Sequence, residues 1–235
     1  MFFQTLQYIL IPALLGAQIL LTIILHKGDI CPGQRGRIHK WLPVLILGWC
    51  LIAGVGMTYA MVFAINLIPA IAIAGFYFSV KTSKTRDKGP LIIMALANGF
   101  AAASFVNLAL GSGSFTQLFF ALIGPFLFGA LLTHLLLTLA RTRLQAFHRL
   151  LPISGIISGI VMVVILLCQT LSIHEIFLDR MAVKLGIGLG LMLLSLGLWN
   201  FHLFNKQAAK WQFLVPASII MAISGYYQFQ LFFVM

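Results

Sequence analysis

From Trp41 to Val80 the chain runs forty residues without one acidic or basic side chain. At a rise of ~1.5 Å per residue this is ~60 Å of helix, against a hydrocarbon core of ~30 Å, so the run fits two membrane crossings rather than one or three. A soluble core has no use for so long a neutral stretch. The rest of the sequence agrees: 61% of the 235 residues are hydrophobic and 8% are charged, where a soluble domain carries roughly 25% charged residues, and the mean hydropathy is +1.07. The fold class expected is an all-α, polytopic transmembrane bundle forming a single integral membrane domain over residues 1–235.

Eight helices are expected, over about residues 6–25, 41–59, 61–80, 90–110, 116–140, 151–172, 185–204 and 212–233. The opening MFFQTLQYIL lacks the basic start and the small-residue cleavage site of a signal peptide, so it reads as part of the first helix. Gln18 is that helix's one strongly polar interior residue. HKGDICPGQRGRIHK, His26 to Lys40, holds three glycines and a proline and is expected as a solvated turn region rather than a helix. The turn inside the neutral run is placed near Thr58 to Met61, and Pro69 is expected to kink the helix after it. Gly124-Pro125 breaks the apolar run that begins at Thr116, and Pro152 is expected at the start of the sixth helix. Two glycine pairs at four-residue spacing, Gly155 with Gly159 and Gly186 with Gly190, would let neighbouring helices approach closely.

Charge sets the orientation. Thirteen of the fifteen Lys and Arg fall in four connectors, residues 26–40, 81–89, 141–149 and 205–210, that lie on one side of an eight-helix chain, and only Arg180 and Lys184 lie on the other. Short cytoplasmic loops carry the Lys and Arg excess, so these four are expected in the cytoplasm of a bacterial cell, with the chain in the inner membrane and both termini on the periplasmic side. The net charge of +11 does not indicate nucleic acid, because the cations sit in short clusters between apolar segments and form no solvated basic face.

An ionisable residue inside a span is a functional candidate by default. His134 lies about two helical turns before Arg141, and His202 and His26 lie near the same membrane face. They admit two chemical readings: pairwise haem ligation, or acceptance of a proton from a bound quinol. The structural alternative is a histidine bonded to a neighbouring helix, with His26 and His202 reaching the interface. On the outer side Gln169, His174, Glu175 and Asp179 follow the sixth helix, and Tyr226, Tyr227, Gln228 and Gln230 end the eighth. If the two ends pack together they form a polar pocket; otherwise the tyrosines belong to an interfacial aromatic belt. Asn66, Asn98 and Asn107 are candidates for hydrogen bonds between helices. Cys31, Cys50 and Cys168 form no CxxC pair, so neither a zinc site nor a disulfide framework is indicated. HExxH, GxSxG and Walker motifs are absent, and no expected span carries a carboxylate, which argues against a pump built on an intramembrane acid.

GPFLFGALLTHLLLTLA (Gly124 to Ala140) and, beyond the basic turn, RLLPISGIISGIVMVVILL (Arg149 to Leu167) resemble a helix pair in the membrane anchor subunit of dimethyl sulfoxide reductase. LLTIILHKGD (Leu20 to Asp29) resembles the end of that family's first helix. The resemblance implies an eight-helix subunit that anchors a molybdopterin catalytic subunit and an iron-sulfur subunit, oxidises menaquinol and passes electrons to the iron-sulfur partner without haem. This chain is shorter, and its second and third helices lack the family's histidine and glutamate around the quinol. No catalytic or metal residue carries over; His134, His202 and Gln18 are the quinol-binding candidates that the residues here offer. A small-solute transporter or channel, suggested by the helix breaks, and a haem-binding cytochrome remain the alternatives.

Overall fold

A computed structural model describes residues 2–28, 30–57, 59–80, 89–171, 175–205 and 207–233, with the side chains of 175–180 left aside. Every regular element among them is helical: α1 (Phe2–Lys27), α2 (Pro32–His39), α3 (Leu42–Val55), α4 (Ala60–Ser79), α5 (Leu91–Leu110), α6 (Phe115–Gly124), a π-turn (Pro125–Gly129), α7 (Ala130–Leu139), α8 (Gln145–Thr170), α9 (Glu175–Phe204), α10 (Trp211–Phe229) and a 3-10 turn (Gln230–Phe233). Seven helical segments among the described residues are long and apolar enough to cross a membrane, counting α2 with α3 and α6 with α7 as one each.

The last helix, α10, is less apolar, but its Ser224 and Gln228 point inward. Ser224 Oγ and Gln228 Nε2 donate to the Gly188 carbonyl on α9, and Ser195 Oγ on α9 donates to the Ala217 carbonyl on α10. Phe2, at the start of α1, and Phe233, just after α10, line the same cavity. The two ends of the described chain therefore share one end of the bundle, as an even number of crossings requires.

Several boundaries differ from expectation, among them the start of α1 at Phe2 rather than about residue 6 and the end of α3 at Val55 rather than about 59. The basic segment after α1 contains α2: Pro32 opens it at a position where a missing N–H costs nothing, and the glycines inside it, Gly33 and Gly36, face open space. α8 begins at Gln145, six residues earlier than expected, because Leu144, Phe147 and Leu151 continue its buried or half-buried face into the basic turn. α9 begins at Glu175, ten residues early, because no proline or glycine interrupts EIFLDRMAVKL. The break at Gly124-Pro125 is a π-turn inside a continuous helix, with no unwound segment. α1 packs against that π-turn. A Cβ at Gly129 would lie 2.7 Å from the Gly16 Cα, and one at Gly124 would lie 2.7 Å from the Pro12 ring, so the two backbones nearly touch.

Prolines inside helices release carbonyls that other helices then use. Pro69 cannot bond the Ile65 carbonyl, and Ser104 Oγ on α5 donates to it at 2.8 Å. Asn98 also links helices, accepting from Thr22 on α1 at 3.4 Å, whereas Asn66 Nδ2 folds back onto Val62 of its own helix. Of the glycine pairs, Gly155 and Gly159 do receive a neighbour, but a Cβ added at Gly186 or Gly190 would meet no atom within 4 Å. The glycine that admits α10 is Gly188, against Gln228 and Tyr227. It shares a face with Met192, Ser195 and Trp199, which set the α9 stripe. The basic segment 81–88, Asp29, His174 and Lys206 lie outside the described residues.

Candidate functional site

The polar centre of the bundle lies where α7, α8 and α9 meet the Arg141 turn. α7 ends in a Schellman motif: Thr142 N–H donates to the Leu137 carbonyl at 3.1 Å and Arg141 N–H to the Thr138 carbonyl at 3.0 Å. The residue this motif puts in left-handed backbone is usually glycine. Here it is Arg141, at φ 49°, the one non-glycine residue with positive φ among those described. A side chain there costs about 1–2 kcal/mol. The strained turn aims the Thr142 carbonyl at His148 in the first turn of α8.

His134 on α7, His148 on α8 and His202 on α9 form one cluster, with the His134 ring centre 5.1 Å from that of His148 and 5.2 Å from that of His202. The proton positions follow from the one partner that can only donate. Trp199 Nε1–H donates to His134 Nδ1 at 2.8 Å, so a neutral His134 carries its proton on Nε2. That Nε2–H donates to His148 Nδ1 at 2.9 Å. His148 must then carry its own proton on Nε2, which donates to the Thr142 carbonyl at 3.2 Å. One tautomer set satisfies the whole chain from Trp199 to the basic turn, and every bond in it runs in the same direction.

His202 closes the cluster from the other side. Its Nδ1 faces the Trp199 carbonyl at 3.0 Å and its Nε2 the His148 carbonyl at 3.1 Å. The His148 carbonyl is available because Pro152, four residues on, has no N–H to occupy it. Two carbonyls can both be bonded only by a doubly protonated ring; a neutral His202 donates to one of them. Gly155 makes room for the Trp199 ring, since a Cβ at that position would collide with Trp199 Cζ3. Trp199 and His134 are fully buried, His202 is 9% exposed, and His148 is half-buried.

Both ring nitrogens of His134 and of His148 are therefore engaged with protein partners, while a neutral His202 engages one nitrogen and leaves the other facing a carbonyl without a bond. Among the described residues no group of three His, Cys, Asp or Glu is placed to hold a metal ion. Of the sequence candidates, the structure brings His134 and His202 together and sets Gln18 apart. Gln18 is buried between α1 and α3, where its Oε1 accepts from Trp49 Nε1 at 2.8 Å and its Nε2 has no partner. His26 is exposed at the end of α1 and is not a member of the cluster. Sequence reasoning misses His148 because it falls among the arginines of the basic turn. The apolar spacing of Leu144, Phe147 and Leu151 is the signal that it already stands on a helix.

The outer polar residues divide. Gln169 does not join Tyr226 and Gln230; its Oε1 accepts from Thr116 Oγ1 at the start of α6. Tyr226 and Gln230 line a cavity with Phe2, Thr5, Met181, Lys184 and Phe233, so the pocket expected at the end of the last helix is completed by α1 and α9. It lies ~27 Å along α9 from His202, counting ~1.5 Å per residue.

Fold and site together define a polytopic helical membrane protein with a buried polar cluster at one end. A family model described as an integral membrane domain matches residues 3–228, and the chain belongs to that family. A protein of Haemophilus influenzae, described as an uncharacterized protein, is 30% identical over 147 residues, 61% of this chain. The match spans about half of that relative, 54% of its length. No solved structure matches.

Proposed function

We propose that this chain is the membrane anchor subunit of a molybdopterin oxidoreductase in a bacterial inner membrane. Both termini are periplasmic, and the cytoplasmic face holds an iron-sulfur subunit and a molybdopterin catalytic subunit and passes them electrons from menaquinol. The observation that carries this reading is the Arg141 turn. An exposed arginine is kept in strained backbone where glycine would be relaxed, and its neighbour Thr142 is clamped through His148 and His134 to Trp199. Strained backbone of this kind clusters at functional sites, and it supports the reading.

Arg141 and Arg143 stand exposed on this turn and Arg149 early in α8, and Arg37 and Lys40 stand exposed on the basic segment after α1. A cationic surface held rigid before its partner arrives loses little entropy on docking, and its charge speeds encounter with an acidic face. In this reading the histidines act as the clamp. Of the quinol candidates, Gln18 retains an unengaged Nε2 and a neutral His202 retains one unbonded ring nitrogen.

Extraction of the tagged chain in mild detergent should bring down an iron-sulfur protein and a molybdopterin protein. Menaquinol should then reduce the clusters, as read by electron paramagnetic resonance. Recovery of the chain alone from anaerobically grown cells, with Arg141→Glu and Arg143→Glu changing nothing, would overturn the reading.

A further inference from the structure

The cavity of about 180 Å³ at the other end of the bundle has no part in the docking face. Three helical segments build it. Phe2 and Thr5 come from one face of α1, Met181 and Lys184 from one face of α9, and Tyr226, Gln230 and Phe233 from the end of α10 and the turn after it. Residues three or four apart on a helix lie side by side, so each segment offers an apolar or aromatic surface next to a polar group. The walls are fixed by ring packing: Phe2 lies against Tyr226 with centres 6.1 Å apart, and Phe233 lies edge-on to Phe229, which stacks on Tyr8 at 4.4 Å.

Among the described residues that line this cavity Lys184 is the only cation, and none is acidic. It stands nine residues into α9 (Glu175–Phe204), just before that helix's long uncharged run. A lysine next to such a run needs a counter-charge or must reach out to the headgroups. Here it has beside it a phenol and a carboxamide, donors suited to phosphate oxygens, and Phe2, Met181 and Phe233, surfaces suited to an acyl chain.

We propose that this cavity binds an anionic phospholipid, its phosphodiester on Lys184, Tyr226 and Gln230 and the start of an acyl chain along Phe2, Met181 and Phe233. The lipid ties together α1, α9 and α10. Thirteen of the fifteen basic residues lie in the connectors of the opposite end; of the two at this end, Arg180 and Lys184, the described cavity lining contains Lys184.

The test is native mass spectrometry of the full-length chain released from detergent after exchange into phosphatidylglycerol or phosphatidylcholine. Phosphatidylglycerol should be retained about fivefold more than phosphatidylcholine, the factor that one lysine near a membrane surface contributes. Lys184→Gln should abolish the preference, and Lys184→Arg should keep it. Phosphatidylglycerol should raise the melting temperature of the native chain but not of Lys184→Gln, while inorganic phosphate at millimolar concentration leaves both unchanged. Equal retention of the two lipids, or an unchanged preference in Lys184→Gln, would mean that Lys184 only reaches the bulk headgroups and would overturn the proposal. Stabilisation by inorganic phosphate alone would overturn it too, showing a small-anion site, as would retention of a neutral quinone indifferent to Lys184.

Discussion

Trp199→Phe removes one N–H from the histidine cluster and little else that is polar. The His134 Nδ1 that accepted it at 2.8 Å is fully buried and finds no other donor. An orphaned buried acceptor costs about 1–3 kcal/mol, and the smaller ring leaves a gap against Gly155 that adds to the loss. His134→Leu likewise orphans the Trp199 N–H. The double variant orphans neither, so it should be less destabilised than the two single losses added together, by about 2 kcal/mol. Reversible unfolding of the four proteins in mixed micelles measures this difference. Nitrogen-15 spectra of the native chain check the same bond without mutation: the His134 Nδ1 should be the bare nitrogen and Nε2 the protonated one. Additive losses, or a proton on His134 Nδ1, would refute the directional chain of bonds.

Arg141→Gly should raise stability by about 1–2 kcal/mol by relaxing the left-handed backbone, while weakening capture of the iron-sulfur partner; a gain in both would contradict the docking role. Gly155→Ala should lower the melting temperature, costing about 1–3 kcal/mol as the Trp199 ring is displaced, whereas Gly186→Ala, facing open space, should be neutral or stabilising by up to about 1 kcal/mol. Pro152→Ala lets the helix reclaim the His148 carbonyl, so the His202 Nε2 bond should weaken and its ring resonances should shift with little change in the His134 signals.

Sequence alone reveals most of the bundle because hydrocarbon forbids charge, and that rule leaves long neutral runs between cationic turns. The same rule hides what the turns contain. α2 is concealed by Gly33, Gly36 and Pro32, which read as turn residues although the proline sits at a helix start. The early start of α9 is concealed by its charged first residues, and that of α8 by the arginines around His148. Glycine spacing identifies the close contact at Gly155 but not the direction in which Gly186 faces, since a four-residue repeat occurs on lipid-facing and packed stripes alike. The candidate site is half legible. His134 and His202 stand out as polar residues in apolar surroundings, but their meeting depends on Pro152 freeing a carbonyl and on Gly155 admitting Trp199, neither of which has a signature in spacing. Gln18 carries the same signal and belongs to a different interface.

The docking role requires the cationic, histidine-clamped face to lie in the cytoplasm. Cys31 stands exposed at the start of α2 in the first basic segment, and Cys168 stands exposed near the opposite end of α8. Intact spheroplasts treated with a membrane-impermeant maleimide, followed by peptide mass mapping, should show Cys31 unmodified until the membrane is lysed. Modification of Cys31 in sealed spheroplasts would place the basic face outside and contradict the account.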